Sequence, residues 1–200
     1  MKKIKIIRLL FLIATAFPFF TYAQDRFTAE TMWKLGRVSD VQLSPDGSAI
    51  IYGVSRYDLG SNKGNRDIYK LSRDAESPRQ LTDFKGSEIN AVWRPDGKKI
   101  GFLSAESGSM QVWEMGINGE NKVQISNIEG GVNGFAYAPD MRSIVYIADV
   151  KLEKDVHDLY PDLPLANALV YDELMYRHWD NWNRLPFHLM AGKLLIHAKS

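Results

Sequence analysis

A four-residue turn recurs along this chain and limits what the chain can become. Ser44-Pro45-Asp46-Gly47, Arg94-Pro95-Asp96-Gly97 and Ala138-Pro139-Asp140-Met141 each follow a strand-like run and precede an apolar one. Proline presets φ at the first turn position, aspartate bonds back onto its own backbone, and glycine accepts a positive φ. An apolar run, Pro-Asp-Gly and a second apolar run therefore specify a hairpin. Return at roughly 45 to 50 residues is the period of propeller blades. In the third copy Met141 takes the glycine position. If φ is positive there, methionine costs on the order of 1–2 kcal/mol, which predicts a looser turn or a different type.

The strands around the turns repeat as well. Val38 to Leu43 alternates apolar and polar, as a strand with one buried face does. Ala49 to Val54 is apolar at nearly every position, which suits a central strand covered on both faces. Asp67 to Leu71 and Pro78 to Thr82 supply two more strands. The second unit answers in order with Ile89 to Trp93, Lys99 to Leu103, Gln111 to Met115 and Val123 to Ser126. Pro45 and Pro95 are 50 residues apart and Gln80 and Gln124 are 44 apart; a longer loop from Tyr57 to Arg66 absorbs the difference. A third unit starts with Val132 to Tyr137 and Ser143 to Ala148. Four strands per unit at this period predict an all-β fold: an incomplete β-propeller of three recognisable four-stranded blades over residues 24–150. A β-sandwich with coincidental turns is the alternative. Three blades cannot close a ring, so missing blades come from elsewhere, most simply from a longer protein.

Residues 1–23 stand outside this pattern. Lys2, Lys3, Lys5 and Arg8 precede an apolar run to Phe20, and Thr21-Tyr22-Ala23 offers a small residue for cleavage before Gln24. This is the form of a secretory signal peptide cleaved after Ala23, too short for a comfortable membrane span; an uncleaved N-terminal anchor is the alternative. Losing its four basic residues takes the formal charge from +1 to −3, with Lys and Arg scattered among Asp and Glu. That distribution gives no case for nucleic acid or an acidic membrane surface. Cysteine is absent, so neither disulfides nor a lipid-bearing cysteine is available. The expected location is the periplasm or the exterior, with no membrane attachment after cleavage.

After Ala148 the third unit does not deliver its third strand on schedule. Residues 151–182 have the look of an inserted loop and helix. Lys151 to Asp158 is charged and loop-like. Leu165 to about Trp179 keeps i, i+4 apolar spacing and predicts a helix, with Asp162 placed to cap it and Pro164 in its first turn. The densest polar and aromatic cluster of the chain follows: Tyr171-Asp172-Glu173 and Tyr176-Arg177-His178-Trp179-Asp180-Asn181-Trp182. One reading is structural, an i, i+4 ion pair of Glu173 with Arg177 and aromatic packing. The other is a ligand-facing insert. Two adjacent carboxylates suit a free ammonium group, held by charge-assisted hydrogen bonds.

With these residues in view, the chain from Phe27 to Trp182 resembles the N-terminal propeller of the prolyl oligopeptidase family of serine peptidases. The nearest branch is that of the exported dipeptidyl-peptidases and acylaminoacyl-peptidases. The Pro-Asp-Gly hairpins are shared with exported propellers of the TolB type; the run Y-D-E-L-M-Y-R-H-W-D is more specific. The resemblance implies a seven- or eight-bladed propeller capping an α/β-hydrolase domain that carries Ser, Asp and His. It also implies a peptide substrate, and in the dipeptidyl-peptidase branch a pair of acidic residues on a projecting helix that binds the substrate's α-amine. Asp172 and Glu173 match that pair, as Asp-Glu rather than Glu-Glu, with Tyr171, Arg177 and Trp179 as supporting residues.

The departures are equally specific. No G-x-S-x-G occurs in the sequence, so no catalytic residue is assigned and the chain alone is expected to be inactive. No H-E-x-x-H or Cys/His spacing suggests a metal, and no cofactor is implied. His178 is read as a hydrogen-bonded structural residue. Residues 183–200 form an atypical tail that fits the family poorly, with a strand-turn-strand possible around Gly192; a truncation or frame slip near Asn183 is the expectation. Two other functions stand as alternatives to the peptidase propeller: a non-enzymatic periplasmic TolB-like binding module, and a fragment that does not fold stably because its edges are exposed.

Overall fold

The computed structural model describes residues 27–151, 154–168, 177–178, 181–182 and 187–195. The predicted signal peptide lies outside them. The chain divides into two units, 1–33 and 34–200. In the first unit begins a short helix, α1 (Ala29–Lys34). The Thr28 hydroxyl caps it by accepting the Thr31 N–H at 3.2 Å, as threonine does at a helix N-terminus.

The second unit is built of antiparallel meanders. The first sheet has the order β1 (Arg37–Leu43), β2 (Ala49–Asp58), β3 (Lys63–Ser72) and β4 (Arg79–Gln80). The second repeats it as β5 (Ile89–Trp93), β6 (Lys99–Ser104), β7 (Gln111–Gly116) and β8 (Val123–Gln124). The third begins with β9 (Gly134–Tyr137) and β10 (Ser143–Lys151). These are three sheets of an incomplete β-propeller, the all-β fold that the repeat predicts.

The three turns share one pattern of backbone hydrogen bonds. Gly47 N–H donates to the Ser44 carbonyl at 2.9 Å, Gly97 N–H to Arg94 at 2.8 Å, and Met141 N–H to Ala138 at 2.9 Å. In each, the aspartate Oδ1 accepts the N–H two residues on, at 3.0 Å, from Ser48, Lys98 and Arg142 in turn. Gly47 (φ 70°), Gly97 (φ 67°) and Met141 (φ 59°) share the left-handed conformation. The looser third turn expected for methionine does not form. The local hydrogen bonds outweigh the strain, and Met141 is held in a region that L side chains disfavour.

A second shared detail lies five residues before each proline of the first two turns. Asp40 (φ 52°) and Asn90 (φ 53°) sit in β-bulges where β1 and β5 shift register against β2 and β6. Aspartate and asparagine tolerate this conformation best among residues with a side chain. The Asn90 amide donates to the Phe135 carbonyl of β9 at 3.2 Å, tying the second sheet to the third.

Two apolar clusters fill the seams. Ile51, Ile68 and Leu81 of the first sheet pack with Ala91, Ile100, Phe102 and Met115 of the second. Leu103 and Val112 pack with Val132, Phe135 and Ile144 of the third. The strand ends repeat too. The Ile68 N–H donates to Thr82 Oγ1 and the Val112 N–H to Ser126 Oγ, both at 2.8 Å. The six extra residues of the first unit are not a loop. They lengthen the hairpin, with Tyr57 opposite Gly64 and Asp58 opposite Lys63. Asp58 closes the tip by accepting from the Gly60 and Ser61 N–H groups at 3.1 and 3.2 Å.

Two expectations for the C-terminal part are corrected. The tail is not a strand-turn-strand around Gly192. It forms one strand, β13 (Phe187–Leu195), paired with β10 over its whole length, with Gly192 opposite Tyr146. The tail therefore supplies the strand missing after Ala148. The third sheet has the order β13-β10-β9, three strands among the described residues rather than four. The second correction concerns only the ends of the predicted helix, because residues 169–176 and 179 lie outside the described residues: Leu165 to Ala168 is not helical, and Arg177-His178 (β11) pairs with Asn181-Trp182 (β12). The described helix of the insert is α2 (Val156–Leu159), a single turn inside the stretch taken for a loop. Asp155 fixes it by a capping box with Asp158, while successive turns at Leu163 and Ala166 continue the chain.

Candidate functional site

Strand alternation decides from which face the insert departs and to which it returns. All three Pro-Asp turns lie on one face of the stack. Gly97 lies against the Pro45 ring, and Tyr137, next to the third turn, reaches Glu114 beside the second. The β2–β3, β6–β7 and β10–β13 connections therefore leave from the opposite face. The last of these is the insert, residues 152–186, whose ends meet as the Lys151–Phe187 pair. Of the residues singled out for amine binding, Tyr171, Asp172, Glu173 and Trp179 lie outside the described residues. Arg177 stands in β11 opposite Trp182, and His178 opposite Asn181. Among the described residues no group of three or more His, Asp or Glu is placed to hold a metal ion.

Charge on the turn face is locally satisfied. The Ser44 hydroxyl donates to Asp46 Oδ1 at 2.6 Å, and the Ser48 hydroxyl lies 2.8 Å from both carboxylate oxygens. These bonds, with the Ser48 N–H, hold Asp46 down at about 2. In the second turn Arg94 grips Asp96 with two bonds of 2.9 and 2.7 Å, which lowers the Asp96 carboxyl. Inside the seam, buried Glu114 accepts from the Tyr137 hydroxyl at 2.8 Å and from Lys99 Nζ at 2.7 Å. Burial, then the neighbouring Glu114 carboxylate, pushes the Tyr137 hydroxyl above its ordinary value. Tyr137 reaches Glu114 only because position 101 is glycine; a Cβ there would collide with the Tyr137 hydroxyl and lie 2.9 Å from the Phe135 ring.

The insert-side face carries a group of another kind, one that belongs to no sequence motif. Glu88, just before β5, is fully buried, and neither carboxylate oxygen has a hydrogen-bond partner of good geometry. Burial pushes its carboxyl up to about 7. Both Glu88 and Glu114 could have been flagged by aligning the repeat with itself, since their counterparts at a spacing of 44 are Val132 and Lys70.

With this geometry, comparison with known proteins is decisive for the fold. The family model of the TolB beta propeller domain matches residues 31–164. The chain belongs to that family. Two curated relatives place this TolB-type propeller in context. It is 41% identical over 173 residues to dipeptidyl-peptidase 5 of Porphyromonas gingivalis, covering 86% of this chain and 25% of that protein. To dipeptidyl-peptidase 5 of Porphyromonas endodontalis it is 31% identical over 174 residues, covering 87% and 25%. The chain thus spans about a quarter of the length of these relatives. The solved structure of the Pyrococcus horikoshii acylaminoacyl peptidase superposes with a TM-score of 0.52 at 19% identity, over 62% of this chain and 19% of that one. That likeness is one of fold.

Proposed function

We propose that this chain is the propeller part of an exported serine peptidase of the dipeptidyl- or acylaminoacyl-peptidase type, gating and positioning peptide substrate for a catalytic domain it does not contain. One observation carries the reading: the 41% identity to dipeptidyl-peptidase 5 extends over 86% of the chain. A match that long must run from β1 through β10 and into the insert. The missing blades and an α/β-hydrolase domain with the triad belong, on this reading, to the rest of a longer protein. Among the described residues no helix is long and apolar enough to cross a membrane. Export to the periplasm or beyond, after cleavage at Ala23, rests on the first 23 residues.

In the insert, Asp172 and Glu173 take the substrate's free α-amine. An ammonium group has three donors and no acceptor, so two adjacent carboxylates answer both its charge and its geometry. Tyr171, Arg177 and Trp179 support the pair. In the longer protein, Glu173→Ala raises KM roughly 10- to 100-fold for substrates with a free N-terminus, the loss of one charge-assisted bond. Substrates with a blocked N-terminus keep their KM. Equal effects on both would remove the assignment.

A further inference from the structure

Glu88 ties the second sheet to the first: its N–H donates to the Arg66 carbonyl of β3 at 2.8 Å. The repeat puts Val132 at the same place in the next seam, where its N–H donates to the Met110 carbonyl, also at 2.8 Å. Both side chains are wholly buried. Val132 completes the apolar cluster of its seam, whereas Glu88 puts a carboxyl in the equivalent slot.

The surroundings do not neutralise that carboxyl by pairing. The Arg66 guanidinium lies across Gly53 and pairs with Asp40. Asp67 of β3, Asp83 beyond β4 and Glu106 of the β6–β7 connection all bear on Glu88 with like charge. Asp67 Oδ1 is itself buried without a partner; Arg56 acts on Asp67, and Lys122 is drawn to Asp83 at 3.9 Å. Among the described residues, the Thr82 hydroxyl is the neighbour that favours the carboxylate. A buried, unpaired charge is strongly disfavoured, so the group either stays protonated or reaches water.

We propose that Glu88 is a proton-operated latch on the seam between the first two sheets, closed when its carboxyl is neutral and loosened when it ionises. The carboxyl, pushed up from 4.5 to about 7, titrates in the range where such a latch would work. The folded chain keeps a proton that the unfolded chain releases near pH 4.5, so stability falls as pH rises from there, and the loss is complete above about pH 7. The latch lies at the end of the seam from which the insert also leaves, so the pH of the surroundings acts on that face of the propeller.

The test is urea unfolding of the full chain at pH 5 and pH 8.5, with Glu88→Gln and Glu88→Val beside the wild type. The wild-type folding equilibrium constant is expected to fall roughly 100-fold more across this range than that of either variant. Glu88→Val, which copies the Val132 seam, is the more stable chain at pH 8.5. Amide exchange of the Glu88 N–H is expected to accelerate with pH, beyond the intrinsic rate, in the wild type alone. The same pH dependence in wild type and in whichever variants fold would overturn the proposal, as would a wild type whose stability does not fall.

Discussion

Single residues in this chain are constrained by the hairpins they close and the seams they cross. Met141 occupies a left-handed position that glycine fills in the sister turns. Met141→Gly relieves strain of about 1–2 kcal/mol and increases the flexibility of the unfolded chain by somewhat less. The net expectation is stabilisation by about 1 kcal/mol in chemical unfolding; a destabilised variant would mean that the methionine side chain contributes packing. Gly101 is the opposite case. A methyl there collides with Tyr137, and Gly101→Ala is expected to destabilise by about 2 kcal/mol through overpacking and the displaced hydrogen bond to Glu114. Stability unchanged to within about 0.5 kcal/mol would show that the ring moves freely. Neither residue's role was visible in composition. Met141 stood out only against the two glycines of the repeat, and nothing local distinguished Gly101.

At the level of elements, the sequence was informative wherever a backbone rule was local. The Pro-Asp-Gly hairpins and the paired strand ends near Thr82 and Ser126 follow from short-range hydrogen bonding, and they stand where the pattern put them. The departures come from context. Residues 57–66 contain Gly60, Asn62 and Gly64 and have loop composition, yet cross-strand pairing with β2 carries the ladder almost to the tip. Leu165 to Ala168 has helical spacing, but turns dominate after the one-turn α2. The tail has strand-like apolar residues interrupted by Gly192, and only the partner strand β10 reveals that they form one strand. Non-local pairing of this kind is absent from any window of sequence. The acidic pair of the insert, Asp172 and Glu173, was legible as a motif; it lies outside the described residues, and its role is a proposal that rests on that motif.

Across the whole molecule, the repeat explains more than the fold. The face of β1 that carries Val41 and Leu43 is 58% and 64% exposed at those residues. The matching face of the second sheet, at Ala91 and Trp93, is packed against the first sheet, with Ala91 4% exposed. Position by position, an open surface on the first sheet is the counterpart of a closed one on the second, as expected of a propeller segment with another blade to receive. Stacking in this register also sets which face the insert leaves from. A double-mutant cycle on Tyr137→Phe and Glu114→Gln, residues of consecutive sheets joined by a 2.8 Å bond, tests the stacking most directly. The account predicts a coupling of about 1–2 kcal/mol in chemical unfolding; additivity to within about 0.5 kcal/mol would contradict it.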